Sequence, residues 1–363
     1  VQSVALKLIC EREIEIEKFN VEEYWSISSI FLKNNNENFS AKLFVLDSKK
    51  LAKMDLKSED DANEALDKIR KSSFNISKIE TKRVKRNPLA PFTTSTLQQE
   101  ASNKLGFGAS RTMRIAQKLY EGINIGSETT GLITYMRTDG VQLSSQAIDE
   151  LRNEITNRHG KDYIPQTPRV YKSKAANAQE AHEAIRPTSI SRDPENMSQY
   201  LDNEQLKLYE LIWKRTISSQ MQSAELDETA ADISNKDMSI IFRANGSQVY
   251  FPGFFVYRDR EDDKILPKLV ENEDLDLEKA DGEQHFTQPP PRFTDASLIK
   301  KMEELGIGRP STYASILQVL INRSYVEKEK GKHIPQERGR ILTAFLNNFF
   351  GQYIEYDFTA DLE

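Results

Sequence analysis

Two stretches rich in β-branched and aromatic residues, 20–86 and 224–286, stand on either side of a stretch, 94–220, that reads as helix. Strand edges left without partners invite association with other chains. The two β-type stretches are therefore expected to build one domain together, with the helical stretch inserted between them. With 363 residues the chain also exceeds what one core holds, since single cores stop growing near ~250–300 residues.

Within the first β stretch, Trp25, Ile27 and Phe31 alternate onto one face of a strand, Asn34–Asn36 mark a turn, and Ala41–Leu46 form the returning strand. Ser58 is placed as the N-cap of a helix reaching Lys71, with Asp60 and Asp61 near its positive end. Phe74–Arg86 is extended and basic, and Asn87–Pro91 is a stiff connection. The second stretch gives strands at Thr229–Ile233 and Met238–Arg243, an Asn245-Gly246 hairpin turn, and a strand at Val249–Tyr257. Val4–Phe19 reads as a helix with an exposed face. In the helical stretch Thr94 or Ser95 is a cap, Gly106 and Gly108 are breaks, and Ser144 caps a run to Arg158. After Pro289–Pro291 come a helix (Asp295–Leu305), a loop (Gly306–Pro310), a helix (Ser311–Asn322), a β-prone Ser324–Val326, a Lys-rich turn and a helix to Phe350. Helix, turn, helix and wing is a common nucleic-acid-binding order, and equally that of a plain helical satellite domain.

Charged residues make up 29% and hydrophobic residues 38%, with no apolar run long enough to span a bilayer. No membrane segment is expected. A single cysteine, Cys10, excludes an internal disulfide framework and any multi-cysteine zinc site in these residues, and suits the reducing cytoplasm. The opening Val1-Gln2-Ser3 has no initiator Met and reads as cut from something longer. The net charge of −6 hides an uneven distribution. Residues 259–283 hold eleven acidic and four basic side chains; 76–121 hold nine basic and three acidic; 291–340 hold ten basic and six acidic. Basic stretches of this kind permit a phosphate-binding surface and are also what solvated faces look like.

Chemistry first shows in Gly131-Leu132-Ile133-Thr134-Tyr135-Met136-Arg137-Thr138-Asp139. In an extended segment residues two apart point the same way, so Tyr135 and Arg137 are expected to project together. A permanent cation favours a neighbouring phenolate and binds a phosphodiester through paired donors, which suits a phosphoryl-transfer nucleophile. A half-buried strand tyrosine beside an exposed arginine has the same spelling. In Gln179–Thr188, His182 and Arg186 sit four apart and share a face if the segment is helical up to Pro187. Four histidines and no HxxxH spacing make a zinc site improbable.

These strings, ITYMRTD and QEAHEAIRPT, together with PFTTSTLQQEASNKLGFG at 91–108 and LGIGRPSTYASI at 305–316, resemble bacterial DNA topoisomerase I of the type IA family. The resemblance extends from Val1-Gln2-Ser3 through Gln284–Pro291 to Tyr356–Ala360, and Met136 separates it from the topoisomerase III branch, where proline is usual; no GxxxxGKT helicase motif points to reverse gyrase. It implies an α+β multidomain, toroidal core. Residues 1–18 would join 291–363 in a winged-helix-like DNA-binding domain, 19–94 and 221–290 would form a β-rich arch, and 95–220 would be the helical domain carrying the nucleophile. It implies that Tyr135 attacks one DNA strand to form a 5′-phosphotyrosine, that Arg137 positions the phosphate, and that His182 contacts the strand nearby. Arg186, Arg309, Ser311, Thr312, Arg323 and Gln2 would bind DNA.

The implied partners are single-stranded and negatively supercoiled DNA, met by a monomer with no membrane association. The Mg²⁺ the family uses would be held by an acidic domain, called TOPRIM, lying before Val1; no DxDxE cluster replaces it, and the 259–283 run is expected to be a solvated loop. Gly140 stands where the family usually has Ser. The alternative is a single-strand DNA-binding module that cannot by itself complete cleavage and religation.

Overall fold

The computed structural model describes residues 1–126, 128–172, 182–258 and 263–363. The chain begins with helix α1 (Gln2–Glu17). Val4 through Cys10 are all buried, so this helix is enclosed over its first two turns, where the sequence suggested an exposed face. Even Lys7 is covered, its ammonium reaching the Ile354 carbonyl at 3.4 Å and Glu355 at 3.6 Å.

Strands β1 (Glu23–Leu32) and β2 (Asn38–Leu46) form an antiparallel hairpin whose turn puts Asn36 at φ 64°, and β3 (Lys49–Lys50) folds back on β2. Helix α2 (Glu59–Arg70) starts as its spacing predicts: Ser58 Oγ accepts from the Asp61 amide at 3.2 Å, and the Asp61 carboxylate accepts from the Ser58 amide at 3.1 Å. Strand β4 (Phe74–Arg86) follows. The chain then turns helical, with α3 (Thr94–Glu100) running into one π turn (Ala101–Leu105), then α4 (Ala109–Glu121), a ribbon of β5 (Ile123–Asn124) and β6 (Thr129–Thr130), α5 (Ser145–His159), the single turn α6 (Pro194–Met197) and α7 (Asn203–Ser219). Ser144 caps α5 as expected. The cap of α3 is Thr93, one residue before the two candidates, which leaves Thr94 inside the helix with its hydroxyl free for another task.

Strands β7 (Ala224–Asn235), β8 (Ile241–Phe251) and β9 (Asp274–Phe286) return to the first sheet. Asn245-Gly246 is not a turn: both residues lie mid-strand in β8, opposite Ala230 and Thr229. Gly246 is there because residues 264–266 cross it so closely that a Cβ would come within 3.0 Å of the Lys264 carbonyl oxygen. The β7–β8 turn falls earlier, with Met238 at φ 59° and the Asn235 side-chain oxygen accepting from the Ile240 amide at 2.9 Å.

The sheet runs β1-β9-β4-β7-β8-β2-β3, and β1 also pairs with β2, so six antiparallel strands close a ring without a free edge between them. Phe31, Phe74 and Phe242 meet edge to face inside it at centroid distances of 5.2 to 5.6 Å. These strands and α2 make one compact unit, 19–87 with 223–289.

The other unit joins 1–18, 88–222 and 290–363. Its last segment is α8 (Asp295–Glu304), α9 (Tyr313–Asn322), a wing of β10 (Val326–Glu329) and β11 (Lys332–Pro335), α10 (Glu337–Phe350) and α11 (Tyr356–Leu362). One apolar cluster gathers Leu6 and Ile9 of α1, Leu298 and Ile299 of α8, Ile316 and Leu320 of α9, and Ala109 at the start of α4. Helix α9 begins two residues after Ser311, because the Thr312 hydroxyl accepts from the Arg309 amide at 2.8 Å and closes a turn first. No described helix is long and apolar enough to cross a membrane.

Candidate active site and nucleic-acid interface

The segment carrying Tyr135 is held by backbone pairing on both flanks. Before the tyrosine, the Leu132 amide donates to the Leu119 carbonyl of α4, and the Thr134 amide donates to the Arg186 carbonyl at 2.8 Å. Thr134 Oγ1 also donates to the Ala184 carbonyl at 2.7 Å. Strand character stops at the Ile133 bridge, so the rest of ITYMRTD is irregular backbone.

After the tyrosine, fully buried Thr94 takes over. Its hydroxyl donates to the Met136 carbonyl at 2.7 Å and accepts from the Thr138 amide at 2.8 Å. One side chain thus clamps the peptides on either side of Arg137. Replacing Thr94 by Val keeps the volume but leaves a carbonyl and an N–H unpaired in a buried place, at about 1–3 kcal/mol each. Adduct formation by Thr94→Val at saturating DNA is expected to fall by roughly 10–100-fold, with affinity little changed and Thr94→Ser restoring the rate. Single-turnover cleavage of a labelled strand checks this; an unaltered rate in Thr94→Val would mean that the clamp does not set the position of Arg137.

Tyr135 is half-buried and Arg137 exposed. With Met113, Arg114 and Gln117 of α4 they line one open depression of about 460 Å³, so the two do project together despite the irregular backbone. The Tyr135 ring stands edge-on to Tyr120 at 5.5 Å and tilted against His182 at 5.2 Å. His182 is set by a close backbone approach: a Cβ on Gly140 would fall 2.2 Å from the His182 carbonyl oxygen, and Thr138 Oγ1 donates to that same oxygen at 3.4 Å. Gly140 is what lets the two segments touch.

Arg186 does not join this group. From His182 to Thr188 the chain is not helical; Ile185 bridges Phe92 and Pro187 bridges Ile133, so the four-residue spacing confers no common face. Gln179, Glu180 and Ala181, where that helix was to begin, lie outside the described residues, as do 259–262 of the acidic run. The Arg186 guanidinium donates to Glu183 at 2.6 Å and to the Pro187 carbonyl at 2.9 Å, and lines a small cavity with Leu151 of α5 and Thr216 of α7.

The α8–α9 loop carries three of the remaining candidates, Arg309, Ser311 and Thr312. Arg309 folds back on its own loop, donating to the Gly306 and Gly308 carbonyls at 3.0 and 2.9 Å. Ser311 is exposed, Arg323 is exposed at the C-cap of α9, and Gln2 is exposed in the first turn of α1. Tyr313, behind the loop, is held above the ordinary phenol range by burial and by the carboxylates of Glu303, Glu363 and Asp139, against the lowering effect of Arg309. Asp139 ends the ITYMRTD string, so the two motifs lie within electrostatic reach of each other.

A family model described as DNA topoisomerase matches residues 1–363. The chain belongs to the type IA DNA topoisomerase family. DNA topoisomerase 1 of Rickettsia bellii is 54% identical over all of this chain and 46% of its own length, and that of Zymomonas mobilis is 49% identical over all of this chain and 30% of its own length. The full-length topoisomerase I structure from Thermotoga maritima superposes with a TM-score of 0.85 at 36% identity, covering 99% of this chain and 57% of that one. The chain thus spans about half the length of most of the curated topoisomerases it matches.

For a topoisomerase the sequence reading missed one face of the depression. Arg111, Arg114 and Lys118 recur at three- and four-residue spacing on the basic exposed face of α4, and of these Arg114 lines the depression.

Proposed function

We propose that this chain carries the cleavage and strand-holding chemistry of a DNA topoisomerase I that relaxes negatively supercoiled DNA. The placement of Tyr135 and Arg137 in one open depression, with the His182 ring against that of Tyr135, is the observation that carries the reading. Tyr135 Oη loses its proton, attacks the phosphorus of a single-strand linkage and becomes esterified as a 5′-phosphotyrosine; the P–O bond to the 3′-oxygen breaks, that oxygen takes up a proton, and the 3′-hydroxyl later reverses each of these changes. Arg137 neutralises the phosphate where negative charge grows, and His182 contacts the strand beside it. Thr312, Ser311, Arg309 and Arg323 around α9, with Gln2, hold the strand further along. The proposed setting is the cytoplasm and the proposed state a monomer.

Mg²⁺ is expected for the complete activity. Among the described residues no group of three or more His, Cys, Asp or Glu side chains could hold a metal, so the described residues do not fit the ion and no step is assigned to it. That same observation favours a second reading, in which the 363 residues alone only bind single-stranded DNA. Negatively supercoiled plasmid with Mg²⁺ tests both. The chain alone is expected to bind single strands with an affinity that falls with salt, and to leave the plasmid supercoiled; joined to the remaining portion of a Rickettsia relative, it is expected to give a ladder of relaxed topoisomers. No ladder from the joined protein would sink the enzymatic reading, and a ladder from the chain alone would sink the second.

A further inference from the structure

Helix α4 turns its buried face, Thr112, Ile115, Ala116 and Leu119, to the protein and carries Arg111, Arg114 and Lys118 on the exposed side. The three cations differ in what holds them. Arg111 forks the Glu204 carboxylate through Nε and Nη2. Arg114, like Lys118, acts on Glu204 only through its charge at a distance, and it makes no hydrogen bond or ion pair to any described residue. Lys118 is exposed and does not line the depression. Arg137, across the depression from α4, likewise makes no hydrogen bond or ion pair to a described residue.

Two guanidiniums without a carboxylate between them therefore line the cavity that holds Tyr135. Like charges facing one cavity repel, and what offsets this is an anion that accepts from both sides. One phosphate of a strand cannot serve as the only partner if it must stay open to attack by Tyr135 and be neutralised by Arg137. The neighbouring phosphate of the same strand is a second anion that such a pair of guanidiniums can take. Gln117, one turn on from Arg114 in the same wall, donates one amide hydrogen to Glu121 at 2.6 Å and has its amide oxygen and second hydrogen to offer a base or sugar edge there.

We infer that Arg114 is a second phosphate-binding residue of the site, taking the phosphodiester next to the one held by Arg137, so that α4 fixes the strand across the linkage to be cut. The inference rests on the depression being the DNA site, as proposed above, and adds to it a contact that no motif string indicates.

Binding of a fluorescent single-stranded oligonucleotide to the 363-residue chain at several salt concentrations reads the contact. Arg114→Ala is expected to weaken binding about ten-fold at low salt and to reduce the log–log salt slope by about 0.7, the value for one lost phosphate contact on a single strand. Lys118→Ala, on the same helix but outside the depression, is expected to leave the slope within error. A series of oligonucleotides with one neutral methylphosphonate linkage, moved a step at a time, is expected to cancel the Arg114→Ala penalty at one linkage and the Arg137→Ala penalty at its neighbour. Equal slope changes in Arg114→Ala and Lys118→Ala would overturn the inference in favour of a diffuse positive field. An Arg114→Ala slope equal to wild type, with Arg137→Ala reduced, would overturn it alone. Wild-type slopes in both arginine variants would overturn the DNA reading of the depression as well. Competition by millimolar inorganic phosphate that vanishes in Arg114→Ala would make this a free-anion site and overturn the strand contact.

Discussion

Tyr135→Phe is expected to form no covalent DNA adduct, a loss of roughly a thousand-fold or more, while single-strand affinity stays within about two-fold. The substitution removes one oxygen and keeps the ring. The ring's neighbours are Tyr120, packed edge to face, and the tilted ring of His182, contacts of shape that a phenyl group reproduces. The backbone around it is held by Thr94, Thr134 and the Leu119 carbonyl, none of which touches the phenol oxygen. Labelled single strand, incubated with the chain joined to the remaining portion of a relative and run on a denaturing gel, reads the adduct. Tyr120 is the needed control, since it is exposed and only 5.5 Å away between ring centroids. Adducts that persist in Tyr135→Phe and vanish in Tyr120→Phe would move the nucleophile by one ring.

What the sequence disclosed here follows from the range of the forces involved. Ser58 and Ser144 were legible as caps because a cap is a contact over three residues. The hairpin at Asn34–Asn36 was legible for the same reason. Tyr135 and Arg137 were legible as a pair, although strand alternation was the wrong ground for it: what puts them in one depression is the Thr94 clamp, contributed by a residue some forty positions away. Asn245-Gly246 misled because the glycine answers to a crossing segment and not to a turn. The His182–Arg186 spacing misled because bridges to Phe92 and Ile133 hold that segment extended. Enclosure of α1 depends on α9, α10 and the wing strand β11 packing around it, which no window of neighbouring residues encodes. The basic face of α4 was written in the sequence and needed only the helical period to be read there.

The helix that bears this face depends on a carboxylate from elsewhere in the chain, and removing it is expected to have the largest effect on stability of any substitution considered. The N-cap of α4 is Gly108, which has no side chain to satisfy the first amides. Asp295, in the first turn of α8, takes its place: Oδ2 accepts from the Ala109 amide at 2.8 Å. Its other oxygen accepts from Lys328 at 2.7 Å and lies 2.8 Å from Nε2 of His333, whose side chain is wholly covered and whose Nδ1 has no partner among the described residues. Burial of Asp295 opposes its charge, but the hydrogen bonds from His333, Lys328 and the Ala109 amide outweigh that and hold the carboxyl well below the usual carboxylate range. Asp295→Ala leaves the Ala109 amide and His333 Nε2 buried without their acceptor, while the exposed Lys328 turns to water, and removing one partner of a buried pair in this way costs about 3–5 kcal/mol. The sign with pH follows from the depressed value. The contribution is complete above the unfolded carboxyl value of about 4 and is lost as pH falls below it toward the folded value. Urea unfolding of wild type and Asp295→Ala is therefore expected to differ most at neutral pH and to converge in acid, with faster hydrogen exchange at the Ala109 amide in the variant. A difference that stays constant from neutral pH down to pH 2 would show that lost packing, and not the charge, is what the substitution removes; no difference at neutral pH would show that water caps α4 as well as Asp295 does.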